Sequence, residues 1–139
     1  HDAFISNDYA SLAAVPAGGI IGTSSLRRQA FIKQLRPDLT IKVLRGNVNS
    51  RLEKLDRGEY AAILLAYAGV KRLDLLSRVR YVFPATEMLP AIGQGIIGIE
   101  CVQANTAVWD LMAGLDHKTT RQCLTAERAM NATLEGGCQ

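Results

Sequence analysis

The chain has 139 residues, of which 48% are hydrophobic and 21% are charged, and its formal net charge is +3. This composition is typical of a globular protein that can bury a core without disulfides or metal ions. By itself, so small a net charge is not enough to predict a nucleic-acid-coating protein.

The cysteines and the chain ends exclude several other classes. Cys101, Cys123 and Cys138 form no CxxC pair and have no histidine at ligand spacing, so we expect free thiols and no zinc site. No apolar run approaches the roughly 20 residues of a membrane span, and the amino end lacks a signal-peptide pattern. We therefore expect a soluble protein. His1 and His117 have no readable ligand or triad partner and are interpreted as surface residues.

Positive charge is concentrated in one part of the chain. Within 25 residues that contain Asp38 as the single acid lie five arginines: Arg27, Arg28, Arg36, Arg45 and Arg51. This distribution predicts a locally positive surface and an anionic partner.

Strands and helices alternate along the first part of the chain. Apolar spacing, capping residues and glycine or proline stops predict strands at Gly19–Ile21, Thr40–Leu44 and Ala61–Leu65, and helices from Leu26 to Pro37, from Asn47 to Gly58 and over Ala68–Leu76. This alternation predicts an α/β fold, with a parallel-type sheet flanked by helices.

The pattern changes after Pro84, and we place a domain boundary near Pro90. Beyond it we predict an extended segment and two helices, at Gly93–Val102, Thr106–Met112 and Thr119–Leu134. At the amino end, Phe4–Asn7 is interpreted as part of a connecting segment.

The run Gly22-Thr23-Ser24-Ser25-Leu26-Arg27-Arg28 joins the first predicted strand to its helix. Because a helix N-terminus carries about half a positive charge, two arginines in its first turn are mildly unfavourable. A bound anion would explain them, since N–H groups, hydroxyls and guanidinium groups all donate to carboxylates or phosphates. A solvated basic helix start would explain them equally well.

A similar arrangement follows the next strand, where Arg45-Gly46-Asn47 precedes a helix that carries Arg51. The carboxyl ends of neighbouring parallel strands share one crevice, so both arginine pairs are predicted to bind one ligand with several carboxylates. The alternative is that Arg51 pairs with Glu53 or Asp56 on a solvated helix face. The spacing of Arg51 and Asp56, i and i+5, disfavours the second of these pairs.

The segment Gly93-Gln94-Gly95-Ile96-Ile97-Gly98 has GxGxxG spacing, but no helix follows it, so we reject a dinucleotide-binding turn. We interpret Gly93, Gln94 and Gly95 as a hinge or a close backbone approach to a ligand. The absence of a GxxxxGK[ST] motif from the sequence excludes a P-loop.

Cys138 follows two glycines beyond the last predicted helix, where its thiol is expected to be accessible. Cys101 and Cys123 fit the more usual role of a buried small hydrophobe. Because a helix C-terminus disfavours a thiolate, these residues alone make Cys138 no more than a candidate attachment point.

Taken together, the chain resembles the porphobilinogen deaminase (hydroxymethylbilane synthase) family over nearly its whole length. The resemblance is carried, in order, by Gly22–Gln29, Leu44–Val48, Arg51–Leu52, Lys54–Asp56, Gly58–Tyr60, Gly69–Leu73, Leu89–Pro90, Gly93–Gly95, Ala126–Ala129 and Leu134–Gln139. Ile92 stands where proline or valine is more usual in the family.

The resemblance implies a monomeric, cytoplasmic enzyme of tetrapyrrole (haem) biosynthesis that has three domains, two of them like periplasmic binding proteins. It implies the joining of four porphobilinogen units into hydroxymethylbilane with loss of ammonia, primed by a dipyrromethane cofactor in thioether linkage to Cys138. The positions that it assigns to carboxylate binding are Thr23, Ser24, Ser25, Arg27, Arg28, Arg45, Arg51 and Arg72.

The resemblance also implies that this chain is an internal fragment. Residues 1–90 would form the second domain, residues 91–114 a return to the first, and residues 115–139 the start of the third. The catalytic aspartate of the family is expected upstream, so the chain would contain no catalytic residue and would be inactive alone.

Two other functions remain as alternatives. A non-catalytic α/β module that binds a multi-carboxylate anion would explain the arginine pairs, but it would not explain Gly136-Gly137-Cys138. A nucleic-acid-binding protein is disfavoured because no aromatic residues are interleaved with the arginines.

Overall fold

A computed structural model describes residues 1–136 of the chain. These residues divide into two compact units, His1–Gly95 and a second unit that begins at Ile96. The expected assignment of residues 91–114 and 115–139 to two neighbouring domains stays a prediction. Among the helices of residues 1–136, none has the length and hydropathy that crossing a membrane requires.

The first unit is built on a five-stranded sheet with the strand order β3-β2-β4-β1-β5. Its strands are β1 (Asp2–Ile5), β2 (Ile20–Gly22), β3 (Thr40–Lys42), β4 (Ala62–Ala66) and β5 (Val79–Phe83). β2 pairs in parallel with β3 and β4, whereas β1 is antiparallel to both of its neighbours, β4 and β5. The predicted α/β fold with a sheet flanked by helices is confirmed, although one strand runs against the other four.

Two strands of this sheet, β1 and β5, were not predicted from the sequence. β1 includes part of Phe4–Asn7, which was wrongly interpreted as connecting chain, and no element was assigned to Val79–Phe83. β1 has four residues and begins with an acid, so neither strict alternation nor a long apolar run marks it. Its place in the sheet comes from pairing with β4 and β5, which are distant in sequence.

Three helices of this unit agree with the predicted alternation. They are α1 (Leu26–Leu35), α2 (Val48–Asp56) and α3 (Tyr67–Arg72), and short 3₁₀ helices occur at Leu12–Ala14 and Leu76–Arg78. The first two helices have N-caps, since the side chain of Ser25 accepts a hydrogen bond from the Arg28 N–H and that of Asn47 accepts one from the Ser50 N–H. Each cap satisfies one of the N–H groups that a helix start leaves unpaired.

The alternation of side chains along the strands divides the core into two clusters. Phe4 packs with Ile21, Leu64 and residues of α1 in one cluster, whereas Ala3 and Ile5 belong to the other, with residues of α2. Because successive strand residues point to opposite faces, β1 contributes to both clusters. All four of its residues are fully buried.

Gly22, the last residue of β2, has no room for a side chain. A Cβ atom there would lie 2.8 Å from Cδ1 of Tyr60 and 3.0 Å from Cγ2 of Ile63. The Tyr60 hydroxyl donates to the carbonyl of Val43, just beyond β3. The absence of a side chain at Gly22 thus lets the ring of Tyr60 pack against the end of β2, while its hydroxyl bonds to the chain just after β3.

The second unit contains α4 (Thr106–Ala113) and α5 (Lys118–Thr133), close to the two predicted helices. The extended segment predicted at Gly93–Val102 is wrong, because residues 92–95 form turns and residues 96–102 have no regular structure. Although the residues of this segment favour a strand, none forms, since a strand requires an adjacent strand that hydrogen-bonds to its backbone N–H and C=O groups. Cys123 is exposed and Cys101 is half-buried, so neither is the fully buried cysteine that we expected.

Candidate functional site

Most of the predicted site residues that the structure describes lie in the first unit, near the edge of its sheet at which the parallel strands end. The parallel strands β2, β3 and β4 all end there, and β1 begins there because it runs in the opposite direction. Asp2, the first residue of β1, is opposite Ala66, the last residue of β4. Asp2 thereby lies where the parallel strands end, in contact with the arginines that follow β2.

The three hydroxyl residues after β2 form hydrogen bonds that connect the end of β2 with the start of α1 and with the chain beyond β3. Thr23 is buried, and its Oγ1 accepts a hydrogen bond from the N–H of Ser25 at 3.1 Å. Ser24 donates from Oγ to the carbonyl of Leu44 at 2.6 Å, which ties the end of β2 to the chain beyond β3. Ser25 caps α1 through its acceptor lone pair, so its hydroxyl proton could still be donated to a ligand.

A buried carboxylate is the anionic partner of the arginine pair. Asp2 is fully buried, and its Oδ2 lies 2.6 Å from Nη1 of Arg27, while its Oδ1 lies 2.7 Å from Nη2 of Arg28. Neither explanation from sequence, a bound ligand or a solvated helix start, included an anion supplied by the chain itself. Two cations and one carboxylate leave this cluster with an excess of one positive charge.

The charge state of the cluster follows from its burial and its contacts. Burial acts to raise the pKa of Asp2, but the hydrogen bond from Arg27 and the positive charge of Arg28 hold it below its ordinary value. The pKa of Arg28 is lowered, first by burial, against the opposing effect of Asp2. Arginine stays protonated at neutral pH even so, and the cluster is therefore ionic there.

The two arginines differ in how far the protein satisfies them. Arg28 is buried, and besides Asp2 it donates to the carbonyl of Leu64 at 3.0 Å. The Arg27 side chain is 27% exposed and donates from Nη1 to the carbonyl of Leu89 at 2.6 Å. The buried Nε of Arg27 has no hydrogen-bond partner in the described part of the chain. Because that Nε is buried, a ligand would bind Arg27 through Nη2, whose contact among residues 1–136 is a long one of 3.4 Å to Oε1 of Gln94.

Gln94 contacts this cluster through its side chain. Its Nε2 donates to the carbonyl of His1 at 2.9 Å and to Oδ1 of Asp2 at 3.0 Å, and its Oε1 lies 3.4 Å from Nη2 of Arg27. The flanking Gly93 and Gly95 have φ angles of 65° and 86°, a region in which glycine is favoured. A hinge or a backbone approach to ligand at these three residues stays a prediction.

The second arginine pair lies at the neighbouring strand end. Nε of Arg51 donates to the carbonyl of Gly46 at 2.7 Å, and Lys54 donates to the carbonyl of Arg45 at 2.9 Å. The Arg45 residue is exposed. The positive charge of Arg51 is close enough to Arg28 to contribute to the lowering of its pKa.

Arg51 therefore lies near Arg28. Asp56, which the alternative interpretation paired with Arg51, instead forms an ion pair with Arg78. Arg72 lies exposed in the last turn of α3, after β4, and within residues 1–136 it forms no ion pair with the Asp2 cluster. The convergence of these arginines on one ligand stays a prediction.

Neither Asp2 nor the side-chain contacts of Gln94 were predicted from the sequence. The unexplained arginines at a helix start were the signal for a nearby anion, but nothing local pointed to an acid 25 residues earlier in the chain. Cys138, the candidate attachment point, lies outside the described residues.

Comparison with protein-family models gives a match over residues 1–110. The model is described as "Porphobilinogen deaminase, dipyromethane cofactor binding domain". The match covers most of the 139 residues, including the whole unit His1–Gly95 and every arginine considered above.

Proposed function

Because the chain belongs to the porphobilinogen deaminase family, we propose that its parent protein is a hydroxymethylbilane synthase and that these residues bind the carboxylates of cofactor and substrate. The family supports a role in tetrapyrrole biosynthesis and identifies the parent as a transferase. In this proposal the enzyme joins four porphobilinogen units with release of ammonia. The parent protein is a cytoplasmic monomer.

The observation that carries the proposal is the excess of positive charge at the strand edge of a domain matched to dipyrromethane binding. Asp2 offsets one of the two charges of Arg27 and Arg28, and Arg51 and Arg45 add two more nearby. Each pyrrole of the cofactor and of the substrate carries two carboxylates. Guanidinium groups suit such a ligand because they remain charged and bind carboxylates through two parallel hydrogen bonds.

The donors present fit a dipyrromethane. Arg27 offers its partly exposed guanidinium, Arg51 its remaining guanidinium nitrogens, and Ser25 its hydroxyl proton. Arg28 contributes charge more than exposed surface, because it is 8% exposed. Arg45 and Arg72 are exposed and would contact the outer carboxylates of a longer chain.

When bound, the dipyrromethane supplies the pyrrole carbon to which the first substrate is joined. The described residues bind and orient the carboxylates; proton transfer is assigned to an aspartate outside this chain. Residues 1–139 alone would then bind without turnover. Cys138 is the proposed attachment point, through a thioether between its Sγ and the cofactor.

Intact mass spectrometry tests the attachment. The chain is incubated with preformed hydroxymethylbilane from an active synthase, and its mass is compared with that of Cys138→Ser and Cys123→Ser variants. Because the chain alone is expected not to turn over, the tetrapyrrole should stay whole, and its hydroxyl should leave as water when the Cys138 thiol bonds to the carbon that carried it. We expect an added mass of four linked pyrrole units on the wild type and on Cys123→Ser, and none on Cys138→Ser. An adduct that persists in Cys138→Ser, or a wild-type chain that stays unmodified, would contradict the proposed attachment.

A further inference from the structure

Asp2 is buried, and both of its carboxylate oxygens accept hydrogen bonds within the site. It lies at the first position of β1, where it pairs with Ala66 on one side and Phe83 on the other. Its Oδ1 accepts from Nε and Nη2 of Arg28 at 3.0 and 2.7 Å and from Gln94 at 3.0 Å, and its Oδ2 accepts from Arg27 at 2.6 Å. A carboxylate with four donors and no exposed surface cannot itself bind a ligand.

Asp2 constrains the two arginines unequally. Asp2 and the carbonyl of Leu64 together occupy Nε, Nη1 and Nη2 of Arg28. For Arg27, Asp2 and the carbonyl of Leu89 both accept from Nη1, whereas Nη2 has, among residues 1–136, only the long 3.4 Å contact to Gln94. Arg27 is thus fixed at one nitrogen and keeps the other for a further acceptor.

We propose that Asp2 is a positioning residue, which fixes the guanidinium of Arg27 so that Nη2 is directed towards a ligand carboxylate. This inference rests on the proposed function, because it takes the ligand to be a pyrrole carboxylate. Asp2 acts through Arg27 and does not touch the ligand. Gln94 assists, since it contacts both Asp2 and Arg27.

Positioning and simple charge compensation have opposite consequences for binding. If Asp2 only offsets positive charge, Asp2→Asn raises the net charge of the cluster by one and should strengthen the binding of an anion. If Asp2 positions Arg27, the same substitution should weaken binding, because a misdirected guanidinium loses its charge-assisted hydrogen bond. The direction of the change therefore separates the two roles.

The test is calorimetric titration of the chain with porphobilinogen, for the wild type, Asp2→Asn and Asp56→Asn. Asp56→Asn makes the same change of charge in an ion pair with Arg78, beyond the opposite end of the strands. We expect Asp2→Asn to weaken binding by about tenfold. We expect Asp56→Asn to change it by less than about twofold, as for other exposed pairs.

Gln94→Leu keeps the inference testable if Asp2→Asn does not fold. It removes the contacts of Gln94 with Asp2 and Arg27 without leaving a buried charge, and we expect binding to weaken by about threefold. The NMR signal of the Arg27 Nε–H should shift in both folded variants, a change that a general loss of stability would not produce.

Failure of the proposed function and failure of the inference about Asp2 give different results in these measurements. A wild-type chain that does not bind porphobilinogen would overturn the proposed function, and the inference with it. Wild-type binding together with unchanged or tighter binding by folded Asp2→Asn would overturn the inference alone. If Asp2→Asn does not fold, unchanged binding by Gln94→Leu has the same meaning.

Discussion

Replacement of Phe4 by alanine should lower the free energy of unfolding by about 3–5 kcal/mol. Phe4 is fully buried in β1 and packs in the cluster that includes Ile21, Leu64 and Phe83. Alanine would leave a cavity bounded by strands that cannot close around it, because they are tied by backbone pairing on both sides of β1. Urea unfolding of the chain, followed by circular dichroism, measures the change.

Phe31→Ala is the matched control for Phe4→Ala. Phe31 lies on α1, is half-buried and packs at the border of the same cluster, with its ring centroid 5.5 Å from that of Phe83. Phe31→Ala should lower the free energy of unfolding by clearly less than Phe4→Ala does. An equal cost for both variants would contradict the placement of β1 at the centre of the core.

Asp2→Asn should destabilise the chain by about 3–5 kcal/mol at neutral pH, because it leaves Arg28 buried without its counter-charge. The effect should depend on pH. The folded-state pKa of Asp2 lies below its unfolded value of 3.8, so the ionised carboxylate stabilises the fold above that value. This contribution is lost as the pH falls from there towards the lowered folded value.

Unfolding measured from about pH 6 to about pH 3 checks this dependence. The wild type should lose more stability than Asp2→Asn as the pH falls below 3.8, so the difference between the two curves should narrow. Asp38→Asn provides the comparison, because Asp38 pairs with Arg36 at an exposed position. This substitution should change the free energy of unfolding little at any pH. A constant difference between wild type and Asp2→Asn would show that the charge of Asp2 is not what stabilises the cluster.

The part of the fold that local patterns encode could be predicted from the sequence. The alternation from β2 to β4 was predicted because its helices have an apolar face, a capping residue such as Ser25 or Asn47, and a clear stop. β1 and β5 were missed because pairing between residues far apart in sequence defines them. Ala3, for example, is opposite Leu65 in β4 and Val82 in β5.

The candidate site, like the fold, has a part that could be predicted from the sequence and a part that could not. The turn Thr23–Ser25 and the arginines after β2 and β3 could be predicted because parallel strand ends meet at one edge. Asp2 could not, because it reaches Arg27 only after β1 inserts, in the opposite direction, between β4 and β5. Gln94 joins the cluster from 92 positions further along the chain, beyond the range of any periodic pattern.

The most direct test of the account is the affinity of porphobilinogen for Arg51→Gln, compared with the wild type and Arg57→Gln. Both variants lose one positive charge from the region of α2, but Arg57 pairs with Glu59 beyond the carboxyl end of the helix, away from the strand edge that carries the site. We predict that Arg51→Gln weakens binding by about 10-fold to 100-fold and that Arg57→Gln leaves it nearly unchanged. Equal, small losses in both variants would mean that porphobilinogen responds only to overall charge, and would contradict a carboxylate site at the ends of β2 and β3.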